Sequence, residues 1–195
     1  LQKELIARNK VANGLVYLQV TRGADKGRDF PFPKGDVKSS LVMFTSEKDI
    51  VGAPSAKTGI NVITVPDLRW TRRDIKSVAL LAQVLAKQAA AEAGAAEAWM
   101  IEDGKVTEGG SSSCFILTQD DVIVTRQNGS EILPGCTRKA VVALAEERQL
   151  RVEERAFSVE EALSAKEAFV TSATVFVQAV VAIDGKKVAD GKPGP

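Results

Sequence analysis

Four short segments of this sequence carry residue types that could do chemistry. Lys76 follows Arg72 and Arg73 at what the hydrophobic periodicity makes the first turn of a helix. The positive end of a helix and neighbouring guanidinium groups both disfavour an ammonium. A lysine pushed towards its neutral amine is a nucleophile able to form a Schiff base with a carbonyl; the same position also suits an ordinary solvated lysine. In Thr107-Glu108-Gly109-Gly110-Ser111-Ser112-Ser113 a carboxylate precedes two glycines and three hydroxyls, which lets backbone approach a ligand and supplies short donors. A polar turn between strands has the same composition. Leu133-Pro134-Gly135-Cys136-Thr137-Arg138 leads a glycine turn into a helix. The unpaired N–H groups of such a start favour an anion such as phosphate, and an ordinary capped helix start looks alike. Arg28 lies in a loop rich in glycine and proline, where a guanidinium can clasp a carboxylate with two hydrogen bonds.

The composition narrows what these groups can be doing. The chain has no histidine, which excludes Ser-His-Asp and Cys-His triads, His-ligated zinc and the HExxH helix within it. Its own bases are Lys, Glu, Asp, Tyr or Cys, so the chain either binds without reacting or leaves the difficult chemistry to a cofactor. A net charge of +1 with no basic block gives no sign of nucleic acid or an anionic membrane as partner. Apolar stretches such as 177–183 are too short to span a bilayer, and no signal peptide is visible. Cys114 and Cys136 form no metal or disulfide spacing and read as reduced thiols, which points to the cytoplasm. No metal site is expected. The chain opens at Leu1 without a methionine, as an internal fragment or the ordered part of a longer protein would.

The elements that must position these residues can be read from pattern. Residues 1–9 are expected to end a helix, with Leu5 and Ile6 on its apolar side and Asn13-Gly14 as the stop. Residues 15–21 alternate as a strand, which puts Tyr17, Gln19 and Thr21 on one face. A loop over 22–35 and a strand over 41–45 follow. Residues 49–59 have the composition of a linker, so a domain boundary is placed there: 1–50, then 51–195. In the second part, 60–65 is a strand. Residues 77–93 are the clearest helix, with Val78, Leu81, Ala82, Leu85 and Ala89 as its apolar stripe and Gly94 as its stop. Strands are expected at 96–102 and 105–108 around an Asp103-Gly104 turn, then at 113–117, 122–125, 168–172 and 175–183. Helices are expected at 138–147, with Thr137 as N-cap, and after Ser158, where Ser158 and Glu161 have the form of a capping box. Strands interrupted by helices make the class α+β.

Taken in order, these segments resemble the class IV (fold-type IV) pyridoxal-phosphate aminotransferases, most of all the D-amino-acid type. The resemblance rests on VYLQVTRG (16–23), PDLRWTRRDIKS (66–77), AKQAAAEAGA (86–95), GKVTEGGSSS (104–113), ILPGCTR (132–138) and IDGKKVADGKPGP (183–195). It implies a strand-rich pseudo-barrel domain with flanking helices, preceded by the remnant of a small α/β domain. It implies pyridoxal 5'-phosphate as cofactor, bound to Lys76 as a Schiff base, with Glu108 as partner of the pyridine nitrogen. Ser111 and Ser112 match the hydroxyl turn beside the cofactor, and Cys136 and Thr137 match the backbone hold on its phosphate. Arg28 matches the arginine of a substrate-carboxylate trap, and Tyr17 is taken with it as a substrate contact.

Two positions depart from the family pattern. Phe30 stands where a histidine often follows the trap arginine, and Ala173 where a threonine completes the phosphate cup, leaving Ser172 or Thr174 to supply that hydroxyl. Members of the family begin several dozen residues earlier and continue past the position of Pro195. The activity implied is transamination between an amino acid, of the D series, and a 2-oxo acid, in a homodimer. Aminodeoxychorismate lyase and branched-chain L-amino-acid aminotransferase share the scaffold and are the alternatives, along with a non-catalytic binding module on the same fold.

Overall fold

A computed structural model describes residues 1–24, 27 and 29–194. The chain divides into two compact units, Leu1–Ile50 and Val51–Pro195. In the first, helix α1 (Gln2–Asn9) half-buries Leu5 and Ile6. It stops at Lys10, which takes a left-handed conformation (φ 54°) and caps the helix, so the stop comes earlier than Asn13-Gly14. Strands β1 (Gly14–Thr21) and β2 (Ser40–Glu47) pair antiparallel. Tyr17 and Gln19 share a face, and the Tyr17 hydroxyl donates to Gln19 Oε1 at 2.7 Å.

The second unit is built on one mixed sheet. Its strands are β3 (Ile60–Pro66), β4 (Glu97–Glu102), β5 (Lys105–Gly109), β6 (Ser113–Leu117), β7 (Val122–Thr125), β8 (Arg151–Glu154), β9 (Glu167–Ser172), β10 (Phe176–Ile183) and the short β11 (Lys186–Lys187). Among the described residues they run in the order β5-β4-β3-β10-β9-β6-β7-β8, with β11 paired to β10. β3 lies parallel to both β4 and β10, and β7 lies parallel to β8. β4 and β5 form the expected hairpin, with Asp103 and Gly104 both at positive φ (50° and 71°), the backbone of a tight hairpin turn whose twist matches its strands. The edge strand β8 has no counterpart among the strands expected from sequence. Its residues, Arg-Val-Glu-Glu, are charged in the way edge strands resist further pairing.

Apolar runs such as Ala98-Trp99-Met100 are continuous because both faces of the sheet are covered. Side chains alternate across a strand. Val62 and Trp99 therefore enter one core with Val106, Ile116, Phe157 and Val180. Ala98 and Met100 enter the other, beneath helix α3 (Leu81–Glu92), with its Ala86 and Ala90. The remaining helices are α2 (Pro54–Thr58), inside the stretch read as linker, α4 (Cys136–Glu147) and α5 (Val159–Leu163). The Ser158 side chain accepts from Glu161 N–H as expected, while the Glu161 carboxylate turns to Arg155 instead of closing the box.

Three expectations need correction. α3 begins at Leu81, so Lys76 precedes the helix by five residues and does not sit in its first turn. The face of α3 against the sheet is Ala86 and Ala90, whereas Val78, Leu81 and Leu85 of the expected stripe are exposed. The β4 surface beneath the helix admits small side chains at that close approach, so the packed face is turned by about a quarter of the helix circumference from the one side-chain size suggested, with Ala82 and Ala89 of the stripe half-buried at its edge. Third, α4 starts at Cys136 with Gly135 as N-cap, which moves Thr137 from the cap into the first turn.

Phe157 is fully buried and meets Trp99 edge-on, ring centroids 6.0 Å apart. Phe157→Ala should lower unfolding stability by about 3–5 kcal/mol, read from urea denaturation. A loss under about 1 kcal/mol would mean that this core does not hold the sheet.

Candidate functional site

The peptide leaving β3 turns back towards β5 and is fastened there by charge. Asp67 and Arg69 lie two residues apart at the strand's end. Arg69 donates from Nε to Asp67 Oδ1 at 2.9 Å and from one terminal nitrogen to Asp67 Oδ2 at 2.6 Å. Its other terminal nitrogen bonds the Glu108 carboxylate of β5. All three side chains are buried: Asp67 is 0%, Arg69 5% and Glu108 8% exposed. Thr107 also donates to Asp67 Oδ2 at 2.6 Å. Arg73, four residues on, is buried too, donates to both Glu102 oxygens and donates its backbone N–H to Ser130 O. The segment bearing Lys76 is thus pinned along most of its approach. Lys76 itself is exposed.

The electrostatics follow from this arrangement. Burial pushes the Glu108 carboxyl above its ordinary value, and Arg69 and the Leu133 N–H pull back without cancelling the shift. Burial acts on Asp67 in the same direction, but hydrogen bonds from Arg69 and Thr107 outweigh it and hold that carboxyl below the usual range. Arg72 is paired with Asp74 and Arg73 with Glu102, so the two guanidinium groups read as a penalty on Lys76 are balanced by carboxylates.

Glu108 also ties β5 to the loop ahead of α4, because Leu133 donates its N–H to both carboxylate oxygens, at 3.2 and 3.3 Å. Three residues later α4 begins, and the N–H groups of Cys136 and Thr137 stand in its first turn, where a helix offers donors without internal acceptors. Gly135 lies close over β6: a Cβ there would sit 3.0 Å from Ser113 Oγ. Ser113 pairs with Thr171 of β9. The turn after β9 therefore lies beside the Gly-Gly-Ser turn, and in it Thr174 N–H bonds Ser172 Oγ at 3.2 Å.

Of the residues singled out from sequence, the sheet brings Glu108, Ser111, Ser112, Cys136, Thr137, Ser172 and Thr174 to one end of the second unit. The hydroxyls of Ser111 and Ser112 both point to Glu97, at 3.3 and 3.0 Å. Tyr17 belongs to the first unit, half-exposed and stacked on Phe44 at 4.8 Å. Arg28 lies outside the described residues. Sequence reasoning passed over Asp67, Arg69 and Glu97. An Asp-x-Arg pair at the end of an apolar strand was the available signal for the first two; nothing local marked Glu97.

Arg69→Met leaves the buried Glu108 without its cation and Asp67 with only Arg73, 3.6 Å away, and should cost about 3–5 kcal/mol at neutral pH. The folded Glu108 binds its proton above the unfolded value near 4.5. Its stabilising share is therefore complete below that value and is lost as pH rises through the folded pKa. Without Arg69 that window extends upward, so the variant's deficit should grow between mildly acidic and neutral pH. Urea midpoints taken across that range check this, and a deficit independent of pH would show that the pairing is not electrostatic.

Residues 1–183 match the family model of the class IV amino-transferases. Over 193 residues the chain is 39% identical to the D-alanine aminotransferase of Staphylococcus haemolyticus, covering 99% of this chain and 67% of that protein. It is 42% identical over 194 residues to the D-alanine aminotransferase of Bacillus licheniformis, with the same coverage. The PLP-form structure of the branched-chain amino acid aminotransferase from Thermobaculum terrenum superposes with a TM-score of 0.80 at 24% identity, over 100% of this chain and 64% of that one. That last likeness is one of fold. The chain thus spans about two thirds of the length of the proteins it matches. With its α+β sheet, its buried Glu108 and the helix start beside it, the chain belongs to the class IV amino-transferases, a family of pyridoxal-phosphate-dependent enzymes.

Proposed function

We propose that the whole protein transfers an amino group between a D-amino acid and a 2-oxo acid, with its cofactor held by residues of the second unit. The observation that carries this reading is the Glu108 carboxylate, buried, oriented by Arg69 and joined through Leu133 to the start of α4. A cofactor with a proton-bearing ring nitrogen at one end and a phosphate at the other needs an oriented carboxylate and a cluster of unpaired N–H donors. Both are present on adjoining segments, so the residues fit the group.

Glu108 would hold the proton on the ring nitrogen, and Cys136 and Thr137 would bind the phosphate through their backbone N–H groups at the positive end of α4. The turns carrying Ser111 and Ser112 and Ser172 and Thr174 would close the cradle, a hydroxyl of the latter pair standing in for the one that Ala173 lacks. Lys76 would anchor the cofactor covalently through its ε-amine, as a Schiff-base lysine. Released by the substrate, that amine would carry the proton from the substrate α-carbon as general base and return it as general acid. The bound cofactor supplies the electron sink that makes the α-proton removable. Arg28 and Tyr17 are the proposed substrate contacts. The first unit would be the C-terminal part of a small N-terminal domain, and the second the cofactor-binding domain.

The protein would act as a homodimer: Val78, Leu81, Val84 and Leu85 leave an apolar face on and before α3 exposed, the surface a partner subunit would cover. Two unpaired cysteines, one of them exposed, suit a reducing, cytoplasmic location. No described helix is long and apolar enough to cross a membrane.

In the full-length protein, Lys76→Ala should abolish amine transfer while leaving some non-covalent cofactor binding; normal turnover would remove Lys76 from its role. Glu108→Gln should slow the reaction by about two orders of magnitude or more, because a neutral amide cannot hold a charged ring nitrogen. D-alanine should outperform L-leucine as amino donor with a 2-oxo acid acceptor. Preference for L-leucine would transfer the protein to the branched-chain type, and elimination without an oxo-acid requirement would make it a lyase.

A further inference from the structure

Behind the Gly-Gly-Ser turn lies a third buried carboxylate, Glu97, at the start of β4 and 4% exposed. One of its oxygens, Oε1, accepts from Ala98 N–H at 2.9 Å and faces Lys87 Nζ of α3 at 3.3 Å. The other, Oε2, accepts from Ser112 Oγ at 3.0 Å and Ser111 Oγ at 3.3 Å. Lys87 is held in turn by Ala96 O at 2.8 Å. The turn lies flat on this group because Gly109 and Gly110 have no side chains. A Cβ at Gly110 would come within 3.1 Å of Glu97 Oε1 and 3.0 Å of Lys87 Cδ, and one at Gly109 would overlap Ser112 Oγ at 2.2 Å.

A hydroxyl has a single hydrogen to give. With both serine hydrogens committed to Glu97, neither hydroxyl can also donate to an anionic ligand. Gly109 N–H is taken by Ser112 O and Gly110 N–H by Ala98 O, so the turn has the Ser111 and Ser112 backbone N–H groups and hydroxyl lone pairs left to offer. We propose that Glu97 is a positioning residue: by taking the hydroxyl hydrogens of Ser111 and Ser112 it fixes the turn over residues 109–112 in the orientation in which its backbone serves the cofactor. This inference rests on reading that turn as part of the cofactor site.

The isosteric Glu97→Gln tests it. Two donors, Ala98 N–H and Lys87, converge where Oε1 stands, so the amide oxygen must take that place and the amide NH₂ must face the serines. Their hydroxyls then become acceptors and their hydrogens swing away. Pyridoxal phosphate is titrated into the apo form of the full-length protein, and its dissociation constant is measured for wild type, E97Q, S111A/S112A and the triple variant, with a urea midpoint for each. E97Q should weaken cofactor binding by about tenfold, the effect of losing a hydrogen-bonded arrangement. It should add nothing further once Ser111 and Ser112 are alanine.

Lys87→Met is the second arm, at a side chain 41% exposed. It loosens Glu97 without burying an amide, and it too should weaken binding only while the serines are present. An equal loss in both serine backgrounds would mean that Glu97 acts through general stability, and the proposal is overturned. Wild-type affinity in both E97Q and K87M, with S111A/S112A weakened, overturns it as well. If S111A/S112A itself binds as wild type does, the two hydroxyls do not hold the turn for the cofactor and the proposal is overturned, while the site reading is tested separately by E108Q, whose wild-type affinity would remove it.

Discussion

The second unit is organised around one guanidinium. Arg69 lies between Asp67 and Glu108 with all three side chains out of water. A buried carboxylate is tolerable only when its charge is matched and its lone pairs are occupied. Asp67 meets that condition with Arg69 and Thr107, whereas Glu108 meets it only in part, with Arg69 and the Leu133 N–H. The two differ in outcome. Asp67 is held below the usual carboxylate range and serves as the fixed counter-charge, whereas Glu108 is left above it. A carboxylate that pays for burial without full compensation is one for which a further proton-bearing partner is favourable, which is the property its proposed role requires.

The same interaction sets the path of the chain. Because Arg69 is bound across to β5, the peptide after β3 cannot run straight into α3. It crosses the ends of β4 and β5, where Arg73 is anchored by Glu102 and Ser130, and the helix starts only at Leu81. Leu133 carries the connection on from Glu108 to α4. An oriented carboxylate and an open helix N-terminus, which are separate features of the sequence, are joined through a single side chain. Glu97 plays a similar part from the opposite side, joining α3 through Lys87 to the serine turn.

α3 shows how tertiary packing can turn a helix away from the face its sequence pattern suggests. Its large apolar residues formed the obvious stripe, yet the side against the sheet is Ala86 and Ala90. Small residues let a helix axis approach the sheet closely, while the large ones are left outward for another surface. Periodicity reports that a helix is amphipathic; it does not report which of two apolar faces meets its own chain.

Much of the architecture was legible in the chain itself. Alternation at period two and the Asp-Gly turn are local properties, so β1, β3, the β4–β5 hairpin and β10 were readable. The order and wording of the Lys76, Glu108 and Pro-Gly-Cys-Thr segments sufficed for the family. The boundaries of α3 and α4, the charged edge strand β8 and the burial of Asp67, Arg69 and Glu97 were not readable. Each depends on what lies opposite in space: a strand becomes an edge, and a carboxylate becomes buried, only relative to neighbours distant in sequence. Sequence determined which chemical groups are available and in what order, because those follow from residue identity and short-range backbone preference. Tertiary structure alone decided which charges face each other without water between them, since the strength of that interaction is set by distance and burial.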